Sequence, residues 1–320
     1  MPRNVIAELR ASKGLDKVKD AYRQYPERGG GYYTVTGASN VDIGPTGDLW
    51  RRLGITELIA GTFHSLKAWD DICLMATGTT LLRLSDDCTS STTVASGLSG
   101  NKVCYARDGN DIYFSDSATL ALLADGVYLS LPAVTYGINN ANLLRYIQVT
   151  RKQTPAGHIL EFHDNRLLSA VHNVIWKSDP MAYHRTHKAE GVFHESDGGR
   201  ITLIKSVLGG AFVSDSKQLN FFRSDGVRED RANYPALEGS EIDVDVTQVG
   251  IDDLQPGKYF MFAATDGVCV AGDRGFFKNM TSDRYPKITA SKAAALLRDV
   301  VRTIDGEEST ITQAIFACKT

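Results

Sequence analysis

From about residue 55 onward, apolar residues come in short runs separated by breaks rich in Gly, Asp and Asn. Runs of this length, bounded by turn formers, read as β-strands rather than helices. The clearest stretch is 158–180. Ile159–His163, Arg166–Val171 and Val174–Lys177 are three apolar runs parted by Asp164-Asn165 and His172-Asn173. Asn and Asp tolerate the positive φ of a two-residue hairpin turn, so the stretch predicts a three-stranded antiparallel meander. Pro180 closes it, because proline removes a ladder donor.

The closing phrase recurs. Ser-Asp follows an apolar run at Ser85-Asp86, Ser115-Asp116, Ser178-Asp179, Ser224-Asp225 and Ser282-Asp283. Both side chains can bond nearby backbone amides, which suits a turn after an outer strand. The spacing is irregular but averages close to the ~40–50 residues of a four-stranded propeller blade. The expected fold is therefore all-β: a β-propeller of about five small antiparallel blades over residues 55–320, preceded by an extended N-terminal arm over 1–54. A β-sandwich or two small β domains is the alternative. Within the arm, Ile6, Leu9, Leu15 and Val18 form a rough stripe that predicts a short helix in 5–25. One C-terminal helix is expected over 289–303, with Thr289 or Ser291 as cap and Gly306 as stop. The run Thr310–Ala317 is expected to be a strand that completes a blade.

Composition narrows the function classes. A net charge of −3 leaves no excess of Lys and Arg to grip nucleic acid broadly. No apolar run is long enough to span a membrane, so stable membrane insertion is not expected. Charges among the first eight residues break the apolar segment that a signal peptide needs. The five cysteines are odd in number and none is spaced as Cys-x-x-Cys, which argues against a disulfide framework or a zinc ribbon and predicts buried thiols. Six of the seven histidines lie between 158 and 194. His184-x-x-His187 is the best metal nucleus among them, but it lacks the accompanying ligand pattern, so surface and turn histidines are expected instead. Asp108-Gly109-Asn110-Asp111, Asp243-Val244-Asp245 and Asp252-Asp253 do not fit a calcium loop. Asp243 and Asp245 alternate with apolar residues, like the wet face of a strand. Ser96-Gly97-Leu98-Ser99-Gly100 lacks the spacing of a nucleophile elbow. The residues thus predict no catalytic, cofactor-binding or metal-ligating set, and no enzyme.

Two stretches together resemble a family. Lys13-Gly14-Leu15-Asp16, Asn40-Val41-Asp42-Ile43, Gly47-Asp48-Leu49-Trp50 and Arg51-Arg52-Leu53-Gly54 form the first, with a leucine where the family has proline. Leu160–Leu167 through Trp176–Pro180 forms the second. They are similar to the β-propeller tail nozzle and tail-hub proteins of tailed bacteriophages. That resemblance implies a structural virion protein of the tail, assembled in the host cytoplasm as a homo-oligomeric ring, six copies in number. It implies contact with the connector or portal adaptor and with other tail proteins. DNA would pass through the lumen without sequence-specific binding and be retained there before ejection. A phage adhesin or lectin-like propeller that binds host glycans is the first alternative, and a propeller glycoside hydrolase the second.

Overall fold

A computed structural model describes residues 59–131, 138–245, 255–282, 287–304 and 307–319, with four short upstream strands. Those strands are β1 (Ser12–Leu15) and β2 (Tyr33–Val35), which pair in parallel, and β3 (Val41–Ile43) and β4 (Leu49–Arg51), which pair antiparallel. The helix expected in 5–25 is therefore replaced at Ser12–Leu15 by a strand. Gly14 sits inside that segment and weakens any helix there. The remainder of the 1–54 arm lies outside the described residues.

Five four-stranded antiparallel sheets follow. The first is β5 (His64–Ala68), β6 (Cys73–Thr77), β7 (Thr80–Leu84) and β8 (Ser91–Ser96). The second is β9 (Cys104–Asp108), β10 (Asp111–Ser115), β11 (Leu120–Ala124) and β12 (Val127–Ser130). After helix α1 (Ala141–Thr150) and strand β13 (Arg151–Gln153) comes the third sheet. It holds β14 (Ile159–His163), β15 (Arg166–Val171) and β16 (Val174–Lys177), and after β17 (Arg185–His187) it closes with β18 (Val192–Glu195). The fourth is β19 (Leu203–Val207), β20 (Gly210–Ser214), β21 (Leu219–Arg223) and β22 (Arg228–Ala232). The fifth is β23 (Ile242–Val244), β24 (Tyr259–Ala264), β25 (Gly267–Gly272) and β26 (Phe276–Asn279). Strands β27 (Lys292–Ile304) and β28 (Glu307–Lys319) form a separate hairpin. This is an all-β protein of propeller blades, with the expected number of five. Two compact units divide it: one holds residues 57–236 and 272–276, the other 1–56, 237–271 and 277–320.

In the first unit, side chains that alternate along one strand serve opposite neighbours. On β10, Ile112 and Phe114 pack with Leu74 and Leu81 of the first blade. Tyr113, between them, packs with Leu160 and Leu167 of the third. Leu168, one residue beyond Leu167, joins Ile204 and Val213 of the fourth. A strand buried on both faces reads as a continuous apolar run, as these do. Phe114, Leu167, Leu168 and Val213 are at most 1% exposed, and each fully buried side chain of this size contributes about 1.5–3 kcal/mol.

The meander at 158–180 matches its predicted strands residue for residue. Asp164 (φ 48) and Asn165 (φ 56) both take the positive φ that a type I′ turn requires. In the second turn only His172 does so, at φ 55.

The Ser-Asp phrase does not mark one position. Ser115-Asp116 follows the second strand of its blade, whereas Ser85-Asp86, Ser178-Asp179 and Ser224-Asp225 follow the third. The equivalent of Asp116 in the fourth blade is Asp215, which follows the second strand, β20. Asp116 Oδ1 accepts from the Ala118 and Thr119 amides, and Oδ2 from the Ser99 amide. Asp215 Oδ1 accepts from Lys217 and Gln218, and Oδ2 from Ser196 Oγ. Each carboxylate thus ties its own turn to the segment that precedes the blade. Gly198 approaches Asp215 so closely that a Cβ there would lie 2.2 Å from Oδ2.

The largest correction is C-terminal. Most of residues 289–303, expected as a helix, lie in β27 (Lys292–Ile304), and β28 pairs with it over its whole length and completes no blade. Ala and Leu favour helices only weakly, and a partner strand of matching length overrides them. A helix does occur at α1, where none was expected. Its N-cap is Asn140, whose Oδ1 accepts from the Asn142 and Leu143 amides.

Candidate functional sites

The third blade departs from the rhythm of the others in two places, and the two departures meet. Residues 138–158 add α1 and β13 before the blade, and residues 179–191 add β17 between its third and fourth strands. Strands β13 and β17 pair with each other, Arg151 opposite His187 and Gln153 opposite Arg185. Amide–carbonyl bonds from Lys188 to Thr150 (2.9 Å) and from Thr154 to His184 (3.0 Å) extend the ribbon at both ends. Insertions of this kind on a rigid scaffold are where proteins place function.

Asp179 fixes the ribbon to the blade. Its amide donates to Arg185 O at 2.8 Å. Its Oδ2, buried with the residue, accepts from Arg151 Nε at 2.7 Å and lies 3.1 Å from Arg185 Nε, which is not aligned to donate. Ser178 Oγ accepts from the Leu167 amide and donates to Asp179 O. Arg166 Nη1 donates to Ser178 O at 2.8 Å. Above this corner opens a cavity of about 160 Å³, with Arg151, Arg166, Lys177, Asp179, His187 and Glu190 in its wall. On the neighbouring residues Lys152 Nζ stands 3.3 Å from the centre of the Trp176 ring, and burial lowers the pKa of Lys152.

The ribbon concentrates unsatisfied polar groups. Among the described residues seven buried side-chain atoms have no hydrogen-bond partner, and four of them are here: Arg151 Nη1, Thr154 Oγ1, His184 Nε2 and Arg185 Nε. Buried polar atoms are paired as a rule, so the cluster sets the ribbon apart from the rest of the described residues.

The histidines are only in part the surface and turn set that the sequence predicted: His172 lies in a turn, but others are buried. His158 and His163 are buried. His158 Nε2 lies 2.8 Å from Ile201 O, and His163 Nδ1 lies 2.9 Å from Ser206 Oγ in β19, so both stitch the third blade to the fourth. His194 packs on the Phe222 ring at 4.6 Å. His184 and His187 are half-buried. His187 Nδ1 accepts from the Ala189 and Glu190 amides, a turn role. Among the described residues no group of three His, Cys, Asp or Glu is arranged to hold a metal. The cysteines also differ from expectation: Cys269 is buried, Cys73, Cys88 and Cys104 are half-buried, and Cys318 is exposed.

Other candidates resolve into structural roles. Asp243 and Asp245 are exposed on either side of buried Val244, as their alternation predicted. Asp108 Oδ2 accepts from the Tyr183 hydroxyl at 2.8 Å. Ser99, from the elbow-like phrase, anchors Asp116. The buried carboxylates Asp116, Asp179 and Asp215 are thus each engaged by amides, hydroxyls or guanidinium groups. Asp252-Asp253 lies outside the described residues.

The second candidate is the β27–β28 hairpin. Thirteen residues at about 3.4 Å each make strands roughly 44 Å long. No side chain described in it is buried, and Leu296 is 54% exposed. The base of the hairpin is apolar on both faces, with Ala295 opposite Phe316, Leu296 opposite Ile315 and Leu297 opposite Ala314. In the same unit it meets a bridge at Glu238, whose carbonyl accepts from the Ala293 amide at 3.1 Å, and β27 lies against β23.

No protein-family model matches the sequence, and neither does any curated protein. Solved structures give distant likenesses. An extracellular domain assigned to a hybrid two component system of B. thetaiotaomicron matches 74% of this chain and 31% of its own length, at 11% identity and a TM-score of 0.44. A gluconolactonase from Xanthomonas campestris matches 73% of this chain and 82% of its own, at 12% identity and a TM-score of 0.39. The chain thus spans about a third of the first of these.

Proposed function

We propose that the protein is a non-enzymatic structural component that works in several copies, joined through the β27–β28 hairpin. The observation that carries this reading is the hairpin itself. An isolated two-stranded hairpin is marginal in water at best, and this one has apolar residues on both faces with none of its described side chains buried. Beyond the bridge at Glu238, the edge of a long hairpin is a place where another strand can pair.

Charge favours a second copy as that partner. Strand β27 carries three cations and one carboxylate, whereas β28 carries two carboxylates and one cation. Laying β27 of one copy beside β28 of the next sets opposite signs together. A head-to-tail contact of this kind closes into a ring when the rotation permits. The phage-tail role that the sequence resemblance implies fits such a ring, with virion proteins as neighbours and DNA in the lumen. The mild negative charge is compatible with a wall that does not hold phosphates.

The test is the mass of the purified protein in solution across a concentration series, with electron microscopy of the assembled species. The expected result is a closed multimer that dissociates when Leu296→Asp places a charge on the exposed face, while the circular dichroism spectrum is unchanged. A monomer at every concentration, or an assembly indifferent to Leu296→Asp and to removal of 291–320, would sink the reading.

A further inference from the structure

We infer that the cavity between the β13–β17 ribbon and the Ser178-Asp179 corner is a binding site for one oxyanion, a phosphate or carboxylate group. Three observations meet there.

The first is charge. Arg151, Arg166 and Lys177 line the cavity, and Arg185 stands behind Asp179. Against these four cations stand two carboxylates. Asp179 is already shared by Arg151 and Arg185, and Glu190 is exposed at the rim. The wall is left with a surplus of positive charge that no side chain of the ribbon or blade neutralises.

The second is unused donor capacity. Arg151 Nε is committed to Asp179, yet Arg151 Nη1 is buried without a partner. Arg166 uses Nη1 on a carbonyl, and among the described residues the Lys177 ammonium makes no hydrogen bond or ion pair. A guanidinium held on one side by a carboxylate presents its remaining N–H groups in a fixed fork, which suits a planar or tetrahedral oxyanion. Arg151 Nη1 is closed off from solvent, so the groups left for an oxyanion in the cavity are the remaining N–H groups of Arg166 and the Lys177 ammonium.

The third is pre-organisation. Asp179 is tied by its amide to β17 and by its carboxylate to β13, while Ser178 locks the same corner to β15. The corner and the Arg151 guanidinium are therefore set before a ligand arrives. A cavity of about 160 Å³ has room for a phosphate or carboxylate headgroup.

Calorimetric titration of the full chain tests this, with inorganic phosphate in one arm and succinate in the other, each against sodium chloride at equal ionic strength. Saturable uptake of one anion per chain is expected. Lys177→Gln should weaken it roughly tenfold, the usual worth of one charge-assisted bond, with an unchanged melting temperature in chloride because the structural bonds of Lys177 are made by its backbone alone. Arg166→Gln is the second variant, checked for fold by circular dichroism, and should weaken uptake similarly. The tighter arm identifies the headgroup. No uptake beyond chloride in either arm, or uptake untouched by both substitutions, overturns the site.

Discussion

His163 is buried where the third blade meets the fourth, with its Nδ1 2.9 Å from Ser206 Oγ. A cluster of histidines in a short stretch invites a metal, and the cautious alternative is the surface. His158 and His163 instead serve as polar stitches between blades, because an inter-blade contact needs something that can be buried and still hydrogen-bond. Nothing in the local spacing reveals that, since the partners Ile201 and Ser206 lie in the next blade. Burial has a consequence that can be measured. Loss of solvent lowers the pKa of His163, of His184, where Arg185 adds to the effect, and of His194, where Arg228 does. The unfolded chain takes up protons near pH 6.5 that the folded chain resists, so stability is fully present above that pH and falls as pH drops below it. Melting temperature should be flat from about pH 7 to 8 and decline towards pH 5, and His163→Gln should flatten the decline. A melting temperature that rises on acidification across this range would contradict the assignment.

Asp116 makes a second case at the same scale. Burial alone would raise its pKa, but the Ser99, Thr119 and Ala118 amides outweigh burial and hold it below the ordinary carboxylate value. Asp116→Ala leaves three amides without an acceptor. It should lower unfolding free energy by on the order of 3 kcal/mol, read from urea denaturation, whereas Asp225→Ala on the exposed fourth-blade turn should cost less than about 1 kcal/mol.

Among the elements, the 158–180 meander was readable because each determinant is local: a two-residue break, residues that accept positive φ, and short apolar runs. The turn can be improved on the same logic. Asn165 sits at φ 56, where glycine is unstrained, so Asn165→Gly should raise stability by up to about 1 kcal/mol, seen as a higher urea midpoint with unchanged slope. Elements whose determinants are distant were misread. Strand β27, Lys-Ala-Ala-Ala-Leu-Leu-Arg, has the composition of a helix. Only its thirteen-residue match to β28 makes it a strand. Helix α1 carried a legible signal in Asn140 as N-cap, but its apolar residues Leu143, Tyr146 and Val149 are largely exposed, so no full stripe announced it. The arginine cavity left still less trace. Arg166, Lys177 and Asp179 come together through the β15–β16 pairing, but only the pairing of β13 with β17 brings Arg151 to them.

For the whole molecule, the number of blades was legible while their phase was not. Ser-Asp recurs because it suits turns in general, and it falls after different strands in different blades. The features that distinguish this chain from a plain array of blades are its additions, the ribbon and the long hairpin, and both proposals rest on them. The ribbon also sets an order of events during synthesis. Every other blade is built from strands that are consecutive in the chain, so each strand meets its partner almost as soon as it emerges. Strand β13 is made at residues 151–153, but its partner β17 arrives only at residues 185–187. At about 5–20 residues per second, that gap lasts roughly 2–7 s. Throughout that interval Arg151 has neither Asp179 nor a paired strand beside it, and the nascent chain carries an uncompensated guanidinium on an open edge.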